Sequence, residues 1–177
     1  RMRKGTKVPR ISEFVEDSQA AKVKIHGCFM YGNREETAET MHRTLNFALS
    51  LPIDTAQFYP IMLSPGTADY EYYKESGRLI TEDFSKWNDE RGQHRSTVRR
   101  EHLTEKEIED FCDFSRRRFY LRPKYMWLKG KEALFNIDHL KKNLRGFSVL
   151  IGHLLSRPGR GLGYGGSAEG VFEDELR

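Results

Sequence analysis

Cysteine is nearly absent from this chain: Cys28 and Cys112 are the two present, and they lie far apart. That excludes a disulfide framework, and it excludes a structural zinc site, which needs closely spaced ligand pairs. Long hydrophobic runs are missing too. No window approaches the roughly 20 apolar residues of a membrane-spanning helix. The opening Arg1-Met2-Arg3-Lys4 has no apolar stretch behind it, so it does not read as a secretory signal. A cytoplasmic setting is the default expectation, and the start at Arg rather than Met suggests a piece excised from a longer protein. A strong charge bias is also lacking. The 30 Lys and Arg nearly balance 26 Asp and Glu, for a net charge of +4. Such a balance permits a phosphate-rich partner without demanding one.

What is present suits one domain with a core: 177 residues, 37% hydrophobic and 12% aromatic. A short helix is expected from Ser12 to Ala21. The stretch Val23 to Tyr31 reads as a strand, with Ile25 and Phe29 on one face and Lys24, His26, Cys28 and Met30 on the other. Asn33 and Glu36 have capping-box spacing. Ala38, Met41, Leu45, Ala48 and Leu49 then recur at helical spacing, so a helix is expected from about Glu35 to Leu51, stopped by Pro52. Asp54 to Tyr59 alternates again: Ala56 and Phe58 face one way, Thr55, Gln57 and Tyr59 the other. Strand, crossover helix, strand is the signature of parallel sheet.

Beyond Pro60, Pro65 and Gly66, Thr67 is placed to cap a helix through Tyr70 to Glu75. Gly77 to Glu101 is polar and without period, which reads as a long loop of the kind that forms functional covers. Thr104 and Glu107 form a second capping box, opening a helix with Ile108, Phe111, Cys112, Ser115 and Phe119 on one face, interrupted at Pro123. A last helix is expected from about Asp138, carrying Leu140, Leu144, Phe147 and Ile151. The glycine-rich tail after Pro158 reads as disordered.

The mixed strand faces carry the first functional inference. In a parallel barrel or half-barrel the apolar face packs under outer helices, and the mixed face points inward to a cavity. The inward set is then Lys24, His26, Cys28 and Met30 with Thr55, Gln57 and Tyr59. Ligands in such folds bind at the C-terminal strand ends, which favours Met30, Tyr31, Gln57 and Tyr59. His26 and Cys28 have no third or fourth ligand nearby, so no metal site and no catalytic residue are assigned.

The segment His26-Gly27-Cys28-Phe29-Met30-Tyr31-Gly32-Asn33-Arg34-Glu35-Glu36-Thr37 resembles radical S-adenosylmethionine enzymes, in which a strand ending in Gly is followed by a turn and a helix-opening Glu-Thr. Asp54 to Phe58, Ser64-Pro65-Gly66-Thr67, Glu71 to Gly77 and Arg116 to Pro123 follow in an order similar to the cobalamin-associated branch, nearest to the radical proteins of hopanoid lipid biosynthesis. The resemblance covers about residues 1 to 155. It implies an α/β fold, a partial (βα) barrel fragment with parallel strands followed by C-terminal helices. Residues 1–76 would be the later half of the barrel, 77–103 a long loop, 104–156 a helical extension and 157–177 the tail.

The resemblance further implies S-adenosylmethionine beside a four-iron four-sulfur cluster in the full-length protein, and leaves the use of cobalamin open. Cys28, Met30, Tyr31, Gly32, Gln57 and Tyr59 would be cofactor-binding, and Lys24, His26 and Thr55 would face the substrate, a lipid of hopanoid type being the candidate. The cluster cysteines belong upstream in that family, so the chain alone is expected to be inert, with the missing N-terminal part of its own chain as partner. A bared edge on the first strand favours self-association. Lys141, Lys142 and Arg145 beside an apolar face suggest membrane-surface contact. The alternative, from another class, is a non-catalytic basic and aromatic interaction domain binding RNA or a partner protein. The cation–aromatic run Arg116 to Trp127 suits single-strand stacking in composition, but a helix end with solvated arginines accounts for it, and no nucleic acid is expected.

Overall fold

Backbone punctuation sets the boundaries of the elements in the computed structural model, which describes residues 5–135 apart from positions 89, 91 and 93. Helix α1, Val8–Ala20, starts with a proline in its first turn, where the missing N–H costs nothing. It closes in a Schellman motif: Lys22 stands at φ +59°, its N–H reaches the Gln19 carbonyl, and the Val23 N–H reaches Ser18. That turn consumes the start of the expected strand. Strand β1 is therefore His26–Tyr31, and Lys24 lies outside it, exposed.

Helix α2, Ala38–Ser50, is opened by Thr37, whose hydroxyl accepts from the Thr40 N–H while the Thr40 side chain accepts from the Thr37 N–H. The capping box expected at Asn33 thus sits one turn later. Strand β2, Thr55–Pro60, pairs parallel with β1 in the register His26 with Thr55 through Tyr31 with Pro60. Helix α3, Ala68–Glu75, is capped by Thr67 as its sequence indicates. The long loop that follows holds a 3-10 turn, Phe84–Lys86, and two isolated antiparallel bridges, Leu79 with Val98 and Asn88 with His94. Helix α4, Glu105–Tyr120, has the expected Thr104–Glu107 capping box. Helix α5, Pro123–Phe135, is a correction: Pro123 starts a helix as its first residue instead of merely ending one. The expected helix near Asp138, its membrane-facing lysines and the glycine-rich tail lie outside the described residues.

Every inward residue expected of α4 is buried. Ile108, Phe111, Cys112, Ser115 and Phe119 join Tyr31, Met41, Leu45, Ala48, Ala56 and Phe58 around one core. Phe29 stacks on Phe58 at 5.3 Å between ring centroids, and Phe111 meets Tyr31 edge-on at 5.0 Å. The Tyr120 hydroxyl donates to the Ala56 carbonyl at 2.7 Å and accepts from the Ala56 N–H at 3.1 Å, satisfying backbone of β2 that the ladder leaves over. Helix α4 is therefore part of the same core as the strands. The structure is mixed α/β with a two-stranded parallel sheet and helices. No helix among the described residues is long and apolar enough to cross a membrane.

Candidate functional site

Strand alternation and the parallel register together sort the sheet into two unlike faces. Gly27, Phe29 and Tyr31 lie beside Ala56, Phe58 and Pro60 and turn toward the core. The other face carries three side-by-side pairs: His26 with Thr55, Cys28 with Gln57, and Met30 with Tyr59. His26, Cys28 and Gln57 are exposed, and Thr55, Met30 and Tyr59 are half-buried. The His26 Nδ1 and Thr55 Oγ1 share a hydrogen bond of 2.7 Å, which orients the imidazole. Six of the seven residues assigned to the inward set thus come together on one open face; Lys24 does not join them.

Tyr31 and Gly32 serve the strand end in another way. The Tyr31 hydroxyl is fully buried and hydrogen-bonded to Ser115 Oγ at 3.0 Å, and burial pushes its phenol well above the ordinary tyrosine value. Gly32 stands at φ +89°, its N–H donating to the Glu36 carboxylate and its carbonyl accepting from the Arg100 guanidinium. The Asn33 N–H adds a second donor to Glu36 at 2.8 Å. Burial raises the Glu36 carboxyl above its ordinary value, against those two amide hydrogen bonds. The latch ties the end of the long loop to the end of β1.

Beyond Pro60, at the C-terminal end of β2, the same loop and α4 border a half-open pocket of about 570 Å³. Its loop side presents His94, Arg95, Ser96, Thr97 and Arg99, and its helix side Glu105, Glu109, Cys112, Asp113 and Arg116. Thr97 is 1% exposed and its hydroxyl has no hydrogen-bond partner among the described residues. The Cys112 thiol is pushed up by burial, which keeps it protonated. Asp113 and Arg116 pair at 2.7 Å, and the Ser96 N–H donates to Glu109 at 3.3 Å. Tyr59 meets His94 at 6.0 Å between rings, so the open face and the cavity adjoin. The cavity residues escaped the sequence reading because the loop has no period. One signal was there: Glu105, Glu109 and Asp113 recur at helical spacing beside the apolar stripe of α4.

No family model matches the chain. An uncharacterized methyltransferase, PH0819, of Pyrococcus horikoshii is 30% identical over 131 residues, which cover 67% of this chain and 28% of that protein. A bacteriochlorophyllide d C-8(2)-methyltransferase of Chlorobaculum tepidum is 32% identical over 79 residues, 45% of this chain and 18% of that protein. The chain thus spans less than a third of the length of either curated relative.

These names correct the expectation of a hopanoid-type radical iron–sulfur protein, and with it the cluster and the cobalamin. The relatives are named for methyl transfer, and neither name carries radical, iron–sulfur or hopanoid function. Among the described residues no group of three His, Cys, Asp or Glu is placed to hold a metal ion. The alternative of an RNA- or protein-binding domain is corrected as well. Two cations of its basic run are engaged internally: Arg116 pairs with Asp113, and Arg122 donates to the Leu49 carbonyl at 2.8 Å while lying 4.2 Å over the Phe119 ring.

Proposed function

We propose that this chain forms part of an S-adenosylmethionine-dependent methyltransferase, with the open sheet face turned to the methyl donor and its substrate. The observation that carries the reading is the register: it sets His26 with Thr55, Cys28 with Gln57 and Met30 with Tyr59 on the face turned away from the main core, where His26, Cys28 and Gln57 are exposed. Two relatives named as methyltransferases support it. In the whole protein this unit would belong to a partial (βα) barrel, with the open face as interior surface.

The residues present fit the donor. The Gln57 amide can both donate to and accept from a nucleoside, Tyr59 offers an aromatic face, and the Cys28 and Met30 sulfurs are polarizable neighbours for a sulfonium. Bound S-adenosylmethionine supplies an activated methyl group. The chain's own groups bind and orient it, and His26, held by Thr55, takes up a proton that a substrate gives off. Tyr31 and Gly32 hold the strand end in place, and the loop from Gly77 to Glu101 is tied to it through Arg100 and the Gly32 carbonyl.

Equilibrium dialysis with labelled S-adenosylmethionine tests this. Binding is expected, with about a tenfold loss for Gln57→Ala, the size of one hydrogen bond. Saturable binding that Gln57→Ala and Tyr59→Ala leave unchanged, or no binding at all, contradicts it.

A further inference from the structure

The pocket beyond Pro60 lies outside the sheet face, and its loop side presents a row of donors. Two antiparallel bridges, Asn88 with His94 and Leu79 with Val98, hold the end of the long loop extended. Extended backbone sends alternate side chains to opposite sides. Val98 and Arg100 turn inward, Val98 into the cluster with Tyr70 and Tyr73, Arg100 to the Gly32 carbonyl. Arg95, Thr97 and Arg99 alternate with them and line the pocket. The Thr97 hydroxyl is buried and unpartnered among the described residues. Arg95 and Arg99 are exposed, and their guanidiniums make no ion pair among the described residues.

The carboxylates of the pocket are already engaged. Asp113 pairs with Arg116 at 2.7 Å, Glu109 accepts from the Ser96 N–H, and Glu105 lies in the field of the Arg100 guanidinium. The Ser96 hydroxyl is taken as well, accepting from Arg100 Nη1 at 3.0 Å. Two guanidiniums with a hydroxyl between them are left over. Four residues of extended backbone set the Arg95 and Arg99 Cα atoms about 13 Å apart, a span that two arginine side chains can close over Thr97. A carboxylate would bring one charge and two oxygens to this row. A phosphate monoester brings about two charges and three acceptor oxygens, one for each donor. The volume of about 570 Å³ leaves room for the body of such a molecule.

We propose that this pocket binds the phosphate group of a phosphate monoester, held by the Arg95 and Arg99 guanidiniums and the Thr97 hydroxyl. S-adenosylmethionine carries no phosphate, so this is not a subsite for the methyl donor. The pocket adjoins the open face where Tyr59 meets His94, 6.0 Å between rings. A phosphate held at the loop leaves the rest of the ester to reach that face, which makes the ligand the methyl acceptor. That assignment alone rests on the methyltransferase reading.

Calorimetric titration of the chain with phenyl phosphate, inorganic phosphate and benzoate tests this, and a parallel titration with S-adenosylhomocysteine tests the methyltransferase reading separately. Phenyl phosphate is expected to bind saturably, about tenfold or more tighter than benzoate, with inorganic phosphate competing. Arg95→Gln and Arg99→Gln should each weaken phenyl phosphate about tenfold and leave the melting temperature unchanged, because both side chains are exposed. Lys124→Gln, an exposed cation at the start of α5, should leave binding unchanged. Thr97→Val adds an independent check: thermal stability holds or rises, because an unpartnered hydroxyl is lost, while affinity falls. If the phosphates bind with this pattern and S-adenosylhomocysteine does not, the phosphate site stands and its assignment to a methyl acceptor falls with the methyltransferase reading. S-adenosylhomocysteine binding without phosphate binding overturns the inference and leaves that reading intact. Benzoate binding as tightly as phenyl phosphate, an equal loss in Lys124→Gln, or weaker S-adenosylhomocysteine binding in Arg99→Gln overturns the inference as well. Binding by none of the ligands overturns both.

Discussion

Glu35 holds a backbone conformation that side chains disfavour, at φ +65° in the turn between β1 and α2. Left-handed backbone costs a residue with a Cβ about 1–2 kcal/mol, and the entropy of a glycine in the unfolded chain offsets part of that. Glu35→Gly is therefore expected to raise stability by about 0.5–1 kcal/mol in urea melts. The opposite sign is expected nearby. An added Cβ at Gly32 would stand 2.7 Å from the carbon of the Arg100 guanidinium at φ +89°, so Gly32→Ala should lower stability by about 1 kcal/mol or more and loosen the loop.

Tyr31 and Cys112 set an alkaline limit. Both are raised by burial above their ordinary values of 10.0 and 9.0, so the folded state keeps protons that the unfolded state releases. Their contribution is complete below about pH 9 and declines as the pH climbs further, which a urea midpoint followed from pH 8 to 11 will show as a steady fall. At this scale the Thr104–Glu107 box was legible in the sequence. Asn33 and Glu36 have the same spacing, but the Glu36 carboxylate is held by the Gly32 and Asn33 amides ahead of the helix, and spacing alone does not distinguish the two arrangements.

Elements were legible where one period ran unbroken. The buried stripe of α4 and the unlike faces of β2 follow directly from apolar spacing, and the parallel pairing follows from the intervening α2. The ends were less legible, because Val23 is apolar and still belongs to the Schellman turn of α1, and because Pro123 serves equally to stop one helix and to begin another. Helix α4 contributes most to the packing of the sheet, since its phenyl rings cover β2 and its Tyr120 hydroxyl satisfies Ala56. Phe119→Ala is accordingly expected to cost about 3–5 kcal/mol, and Thr104→Ala about 1 kcal/mol, read from thermal or urea unfolding.

Over the described residues taken together, the main core covers one face of the two-stranded sheet and leaves His26, Cys28 and Gln57 of the other exposed, while Met30 packs against the cluster that includes Tyr70 and Tyr73 of α3, and the loop and α4 border a charged pocket at the strand ends. The open face was legible because alternation needs only the sequence. The cavity was not, because it joins loop residues without period to a helix distant in the chain. Ala56 on β2 is blocked by Tyr120. Self-association is therefore expected through β1, and light scattering across a dilution series should show the mass rising with concentration.

The central claim, a methyl donor held on the open face, is tested most directly by mapping backbone amide resonances during titration with S-adenosylhomocysteine. Saturable shifts are expected to concentrate at His26, Cys28, Met30, Gln57 and Tyr59, with the α1 surface unchanged. Shifts confined to α1 and α5, or none at saturating ligand, would contradict it.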